Sequence, residues 1–233
     1  MRRTEINRII EDAEAFFAQH HFVLPPFAAW TGADWKNDAV DKQEIIDCEL
    51  GWDVTDFGRG DFFREGLLLV TLRNGLLDSP VYPKPYAEKI MIVREKQLTL
   101  MHCHVHKTED IINRAGGILV FELHNRRGEK ELSDTPVVLR RDGVGVAVPA
   151  GSRIRLAPGE SITLTPGVFH QFWAEEGRGD VMVGEVSAVN DDHNDNVFYY
   201  EQLRFPEIVE DAAPYRLLVG DYASLRSGSR RAC

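Results

Sequence analysis

Long apolar runs are missing from this 233-residue chain. The longest, such as residues 66–70, fall far short of the ~20 residues that a bilayer-spanning helix needs. The opening Met-Arg-Arg-Thr-Glu-Ile alternates charge with apolar residues and predicts no secretory leader. Cysteine is scarce too: Cys48, Cys103 and Cys233 are odd in number and far apart. They build no disulfide framework, and a reducing, cytoplasmic setting is expected. Basic charge is also short, with 27 Lys+Arg against 37 Asp+Glu and a formal net charge of −10. Nucleic acid and anionic membrane are therefore not expected as partners, because both would repel the chain. No internal repeat, low-complexity block, linker or helix-turn-helix pattern breaks the sequence. What is present is the balance of an ordinary globule, 43% apolar and 27% charged. The length suits one large domain or two small ones.

Residues 4–19 carry Ile6, Ile9, Ile10, Ala13, Phe16 and Phe17 at helical spacing, with Arg8, Glu11, Asp12 and Glu14 opposite. Thr4 is the expected N-cap. A loop with Pro25, Pro26, Phe27, Trp30 and Trp35 follows, and its aromatics are expected to cover a core edge. Short β-like runs then recur at 66–72, 89–93, 98–106, 117–124, 137–139, 152–156, 161–164 and 181–189. Turn signals such as Asn74-Gly75, Asp142-Gly143 and Pro158-Gly159 separate them. The pattern predicts a mainly β sandwich or barrel behind an N-terminal helix. The expected organisation is one domain: an extension over 1–65, a barrel over 66–190 and a C-terminal flank over 191–225. The Ser/Gly/Arg-rich stretch 226–233 is expected to be a disordered tail.

Chemistry concentrates around residue 104. Four of the eight histidines fall between residues 102 and 124, in a string that reads His102-Cys-His104-Val-His106-Lys107-Thr-Glu109. Residues i and i+2 of a strand share a face, so His102, His104 and His106 present parallel imidazoles. Spacing alone leaves open which two of the three would bind a metal. Glu109 lies five residues on, where a turn would return its carboxylate to the same point. His170 follows a Pro166-Gly167 turn much later. Three imidazoles and a carboxylate suit a divalent metal: Mn²⁺, Fe²⁺, Co²⁺, Ni²⁺ or Zn²⁺. The competing reading is an exposed His-rich strand. Cys103 is expected on the opposite face, as a small core residue.

The string resembles the first cupin motif, an H-x-H followed by Glu and then Gly, matched here by His102, His104, Glu109 and Gly116. The motif's leading Gly is Lys96 in this chain. The second cupin motif is matched at Gly167 and His170, while Pro166 sits one place late and Ala174 stands for an Asn. The resemblance implies a double-stranded β-helix barrel. A wider resemblance, to the D-lyxose isomerase family, runs through most of the chain. It is carried by Glu88-Lys-Ile-Met-Ile-Val-Arg-Glu, Met101-His-Cys-His and Lys107-Thr-Glu-Asp-Ile-Ile-Asn-Arg-Ala-Gly-Gly. Thr165-Pro-Gly-Val-Phe-His-Gln-Phe-Trp, the stretch from Arg204 to Leu218 and the opening helix also carry it. That family implies a metal-dependent enzyme, usually a Mn²⁺-activated homodimer, acting on a small neutral sugar. It interconverts D-lyxose with D-xylulose, and often D-mannose with D-fructose. The position after the second His, often aromatic in the family, is Val105 here, which is expected to alter the pocket wall.

Aldose–ketose isomerisation moves hydrogen between C1 and C2 of an open-chain sugar. A cis-enediol route needs a base at carbon, a donor at oxygen and help for the developing negative charge; a hydride shift needs no such base. The resemblance places Glu207 near the pocket as candidate base. Lys107, inside the ligand loop, is the candidate donor. Lys89 opens an apolar strand, so its charge must face either solvent or the pocket. Arg114 is expected to pair with Asp110 and orient Glu109, or to bind substrate. Asp192 belongs to an Asn/Asp-rich loop expected at the barrel mouth. The same donors would also suit a metal-dependent dioxygenase or a sugar-binding cupin without chemistry.

Overall fold

The computed structural model describes residues 1–228. Its strands, in chain order, begin with β1 (Gly51–Thr55), β2 (Leu67–Arg73), β3 (Tyr86–Val93), β4 (Thr99–His104) and β5 (Glu109–Gly116). They continue with β6 (Leu119–Arg127), β7 (Glu131–Ser133), β8 (Val137–Arg141), β9 (Val144–Val148) and β10 (Ser152–Leu156). The last are β11 (Ser161–Leu164), β12 (Val168–Ala174), β13 (Val181–Ala188) and β14 (Asn196–Phe198). One sheet runs β1-β2-β3-β13-β5-β11-β8-β9 and the other β10-β6-β12-β4-β14, with β7 beside β6. β13 sits between β3 and β5, and β11 between β5 and β8, so late strands fill gaps left by early ones. That wrapped antiparallel order is the double-stranded β-helix barrel implied by the cupin resemblance.

Side-chain alternation builds two cores from one sheet. Between the sheets lie Leu69, Met91, Ile111, Phe121, Leu123, Leu156, Ile162 and Phe172, all buried. On the outer face of the larger sheet, Leu68, Val70, Leu72, Ile90 and Ile92 meet Ile6, Ile9, Ile10, Ala13 and Phe17 of helix α1 (Arg3–Gln19). Each fully buried side chain of this kind contributes about 1.5–3 kcal/mol. The loop aromatics cover a core edge as expected: Trp30 and Trp35 pack with Tyr222 and Ile46.

Several expectations shift. Helix α1 starts at Arg3, and its N-terminus is capped from the far end of the chain rather than by Thr4. Asp211 accepts from the Thr4 backbone N–H (3.0 Å) and hydroxyl (2.8 Å). Arg3, 1% exposed, is buried against Glu210 and Asp221. The sheet begins at β1, inside the stretch expected as an extension, and β14 lies in the expected flank. β5 was masked in the sequence by its polar outward residues Asp110 and Arg114. β8 and β9 run up to a tight hairpin at Asp142-Gly143, where both residues have positive φ. A short helix (Ala223–Gly228) covers the start of the expected tail, which from residue 229 lies outside the described residues.

The cupin-like glycines have local causes. Gly116 has φ +93°, and a Cβ there would meet the Asp180 carbonyl at 2.1 Å. The motif's leading position, Lys96 here, has φ +63°. That is the left-handed region a glycine adopts freely, so this chain accepts strain where the family pattern avoids it.

Candidate active site

His102 and His104 end β4 and point between the sheets; Cys103 points the other way, into a cluster with Met101 and Phe169. His170 on β12 stands directly opposite His102 in register. The Gly167 turn (φ +80°) ties this strand to β4, because Gly167 N–H donates to the His104 carbonyl at 2.9 Å. The three imidazoles bring ligand nitrogens within 4.8 Å of one another. Glu109 opens β5 in the facing sheet. Its Oε1 lies 3.2 Å from His170 Nε2 and its Oε2 3.3 Å from His104 Nε2. Donors ~2.1 Å from a common ion and at right angles would stand about 3 Å apart, so these separations fit a shared divalent cation.

The supporting contacts select the metal-binding form of the rings. His102 Nδ1–H donates to the Leu100 carbonyl (2.7 Å) and His170 Nδ1–H to that of Val168 (3.0 Å). A carbonyl only accepts, so both protons sit on Nδ1 and both Nε2 lone pairs face the cavity. Burial, with the neighbouring rings of His170 and His104, holds the His102 pKa well below the ordinary histidine value. Burial works to raise the Glu109 pKa, but Lys107 and His104 outweigh it and hold that carboxyl well below the usual range. Glu109 Oε1 is buried without a hydrogen-bond donor. Three imidazoles, an ionised carboxylate and an unsatisfied carboxylate oxygen are a donor set that fits a divalent metal.

His106 stays out. The strand breaks after His104 because Asp195 captures the next amides: Val105 (3.0 Å), His106 (2.7 Å) and Lys107 (3.2 Å). The alternation stops there, and the His106 and Val105 side chains are exposed. The expected effect of Val105 on the pocket wall is corrected accordingly, since that side chain does not line the cavity.

Behind the donors lies a partly open cavity. One wall is apolar, with Phe57, Leu67, Leu69, Met91, Ile111, Phe172 and Phe198. The other carries Lys107, Glu185, Lys89, Asp192 and Arg204. Lys107 Nζ sits 2.7 Å from Glu185 and 3.1 Å from Glu109. Burial pulls the Lys107 pKa down, but Glu109, Glu185 and Asp192 raise it above the ordinary lysine value overall. Burial favours the neutral form of Glu185, yet Lys107 and Lys89 keep its pKa below the usual value. Such buried charges add little stability for what they cost to desolvate. Their concentration in a cavity marks a site built for chemistry.

Two expected residues are not brought to the cavity. Glu207 is exposed, in an irregular segment, and lines no part of it. Arg114 is exposed on the outer face of β5, the face opposite Glu109. Its expected partner Asp110 instead accepts from Thr163 at 2.5 Å. The roles assigned to Glu207 and Arg114 are corrected on this geometry. Lys89, left open between solvent and pocket by the sequence, and Asp192, expected at the barrel mouth, both line the cavity and stand 3.6 Å apart.

A family model described as D-lyxose isomerase matches residues 1–222. The chain belongs to the D-lyxose isomerase family. It is 52% identical over 223 residues to a D-lyxose/D-mannose isomerase of Serratia proteamaculans, covering 95% of this chain and 98% of that one. A D-lyxose/D-mannose isomerase of Escherichia coli O157:H7 is 48% identical over 227 residues, 97% of this chain and 100% of the relative. Among solved structures, a Cellulomonas parahominis L-ribose isomerase with L-ribose superposes with TM-score 0.57 at 16% identity, covering 91% of this chain and 98% of that chain. An L-ribose isomerase of Geodermatophilus obscurus gives TM-score 0.53 at 17% identity, covering 85% and 92%. At that identity the likeness concerns the fold.

Membership of a sugar isomerase family sharpens which residues the sequence reading missed. Glu185 had a usable signal. In Val181-Met-Val-Gly-Glu185-Val-Ser it falls on the same parity as buried Val181 and Val183, so an acid there must face the interior. Asp195 and Arg204 gave no such signal, since each lies in irregular chain and acts across a long sequence separation.

Proposed function

We propose that the chain is a metal-dependent aldose–ketose isomerase that interconverts D-lyxose with D-xylulose and D-mannose with D-fructose. The observation that carries this reading is the donor set His102, His104, Glu109 and His170 beside Lys107 and Glu185 in one cavity, in a chain of this family. The four donors would hold the divalent metal, with Mn²⁺ the preferred ion. When bound, the metal supplies Lewis-acid polarisation of the sugar's carbonyl and adjacent hydroxyl.

The chain's own residues divide the remaining work. Glu109 faces the two imidazoles, and Asp192 is engaged by Arg204 and Lys89. Glu185, paired with Lys107 at 2.7 Å and outside the set of metal donors, is the cavity carboxylate that would act as base. It takes the proton from C2 of the aldose; the C–H electron pair forms the C1=C2 bond of a cis-enediol, and the carbonyl electrons move onto O1. Lys107 donates a hydrogen bond to the oxygen on which charge develops. The O2 proton then passes to O1, the O2 electrons form the C2 carbonyl, and the C1=C2 pair takes the Glu185 proton at C1, which gives the ketose. Lys89 and Asp192 offer a donor and an acceptor to the other hydroxyls. The apolar wall excludes water, which would otherwise exchange with the proton in transit.

The same reading carries the remaining assignments: a single cupin domain, a homodimer and a cytoplasmic enzyme. No helix among the described residues is long and apolar enough to cross a membrane. The test is ketose formation from D-lyxose and D-mannose by protein loaded anaerobically with Mn²⁺, Co²⁺ or Ni²⁺. Turnover of both sugars is expected, and no ketose with any of the three ions overturns the proposal.

A further inference from the structure

We infer that Arg204 binds the terminal hydroxyl of the open-chain sugar, the end remote from C1 and C2, and that Asp53 positions it; this rests on the isomerase reading above. The ionised groups of the cavity form an alternating series that starts at the metal donor Glu109. Lys107 lies 3.1 Å from Glu109 and 2.7 Å from Glu185. Lys89 lies 3.7 Å from Glu185 and 3.6 Å from Asp192. Arg204 lies 2.9 Å from Asp192 and 2.5 Å from Asp53, where the series ends. The donors for C1 and C2 chemistry are thus at one end of the series and Arg204 near the other.

Arg204 is held but not satisfied. Its Nη2 donates to both Asp53 and Asp192, and the guanidinium lies 4.6 Å from the Phe205 ring centre. Nη1 is buried and donates to nothing in the protein. A guanidinium cannot shed its charge, and a buried N–H without an acceptor is disfavoured, so Nη1 has donor capacity left for a ligand acceptor. The side chain lines the same cavity as the three histidines. Two flanking carboxylates offset its charge, so the acceptor it suits is a neutral hydroxyl rather than a phosphate. Asp53 reaches it from β1, whose central register beside Leu69 of β2 fixes the carboxylate against the barrel. The strand at the sheet edge thereby acts on substrate through Arg204.

The test compares D-lyxose with 5-deoxy-D-lyxose, which lacks only the terminal hydroxyl, in metal-loaded wild type, R204M and D53N. Wild type is expected to lose about 10- to 100-fold in kcat/KM on the deoxy sugar, the size of one hydrogen bond from a charged donor. In R204M that ratio falls to within about threefold of unity, while D-lyxose turnover loses mainly through KM and metal content is unchanged. D53N lowers the ratio part-way. Calorimetric binding of the polyol made by reducing D-lyxose is expected to weaken in R204M by the same 10- to 100-fold. Should R204M fail to fold, D53N carries the same comparison through its lowered ratio. An undiminished ratio in the variants overturns the role of Arg204 while leaving the isomerase reading intact. Mannose 6-phosphate competing as well as mannose overturns the assignment to a neutral hydroxyl. Absence of wild-type turnover on D-lyxose overturns the isomerase reading instead.

Discussion

The two faces of the larger sheet carry opposite solutions on the same strands. On β3, Ile90 and Ile92 point outward to helix α1, whereas Lys89 and Met91 point inward. On β13, Met182 is outward and Glu185 inward. The outer face is apolar and closed by a helix, so it supplies stability. Part of the inner face exchanges that stability for ionised groups, including Lys89, Glu185 and Glu109, each at most 5% exposed. A buried ionised chain of this kind is retained for what it does to a ligand, because well-packed apolar residues would stabilise the barrel as well or better.

The largest expected effects separate metal binding from proton transfer on the inner face. His170→Ala removes one of three imidazoles, and bound metal and turnover are both expected to disappear, as read by elemental analysis and ketose formation. Glu185→Gln leaves the donors in place. Metal content is expected to persist while kcat falls by about 10²- to 10⁴-fold, the usual worth of a general base. Full turnover in Glu185→Gln with metal bound would remove it from the mechanism.

The outer face gives the contrasting result. Phe17 is 1% exposed and packs near Trp52, with ring centres 6.3 Å apart. Phe17→Ala is expected to cost about 3–5 kcal/mol of stability through the cavity it leaves. Turnover per folded, metal-loaded molecule at a permissive temperature should stay within about twofold of wild type, since the site lies across the sheet. Denaturant melting and active-site titration check the two halves. A large kcat loss without a stability loss would mean that the two faces are not separable.

Acid should weaken the barrel mouth in a defined direction. Burial raises the Asp192 pKa, but Lys89, Arg204 and Lys107 hold it well below the usual carboxylate value. A group whose folded pKa is depressed contributes stability above its unfolded pKa and loses it as pH falls through the folded one. The Asp192 contribution is therefore complete above about pH 4 and is lost in the more acid range. In Asp192→Asn, less stable at neutral pH, the decline of melting temperature below pH 4 should be shallower than in wild type. An equal or steeper decline would place the acid sensitivity elsewhere.

Legibility in the sequence followed the range of the contact. The candidate metal donors were readable because His102, His104 and Glu109 share one short string, and Gly167 and His170 another. Helix α1 was readable from its own spacing, but not its cap, which comes from Asp211. Parity along β13 contained Glu185, yet its pairing with Lys107 spans 78 residues and no local pattern specifies it. The choice among His102, His104 and His106 was closed by Asp195, a residue whose bonds to the ligand loop span about 90 positions. Arg204 reached Asp53 over a still longer separation, so only the folded barrel shows it as part of the wall.

The smallest expected effect concerns Glu207. It lies three residues beyond Arg204 in irregular chain, exposed, while Arg204 enters the cavity. Glu207→Gln should keep kcat within about twofold and melting unchanged, because surface substitutions away from packed or capped positions alter stability by no more than ~0.5 kcal/mol. The comparison of one segment's two residues is then sharp: Arg204→Met alters the discrimination between lyxose and its 5-deoxy form, and Glu207→Gln does not. A tenfold loss of kcat in Glu207→Gln, with metal content and melting intact, would require the segment to turn over during catalysis. It would also return the role of base from the sheet to the C-terminal flank.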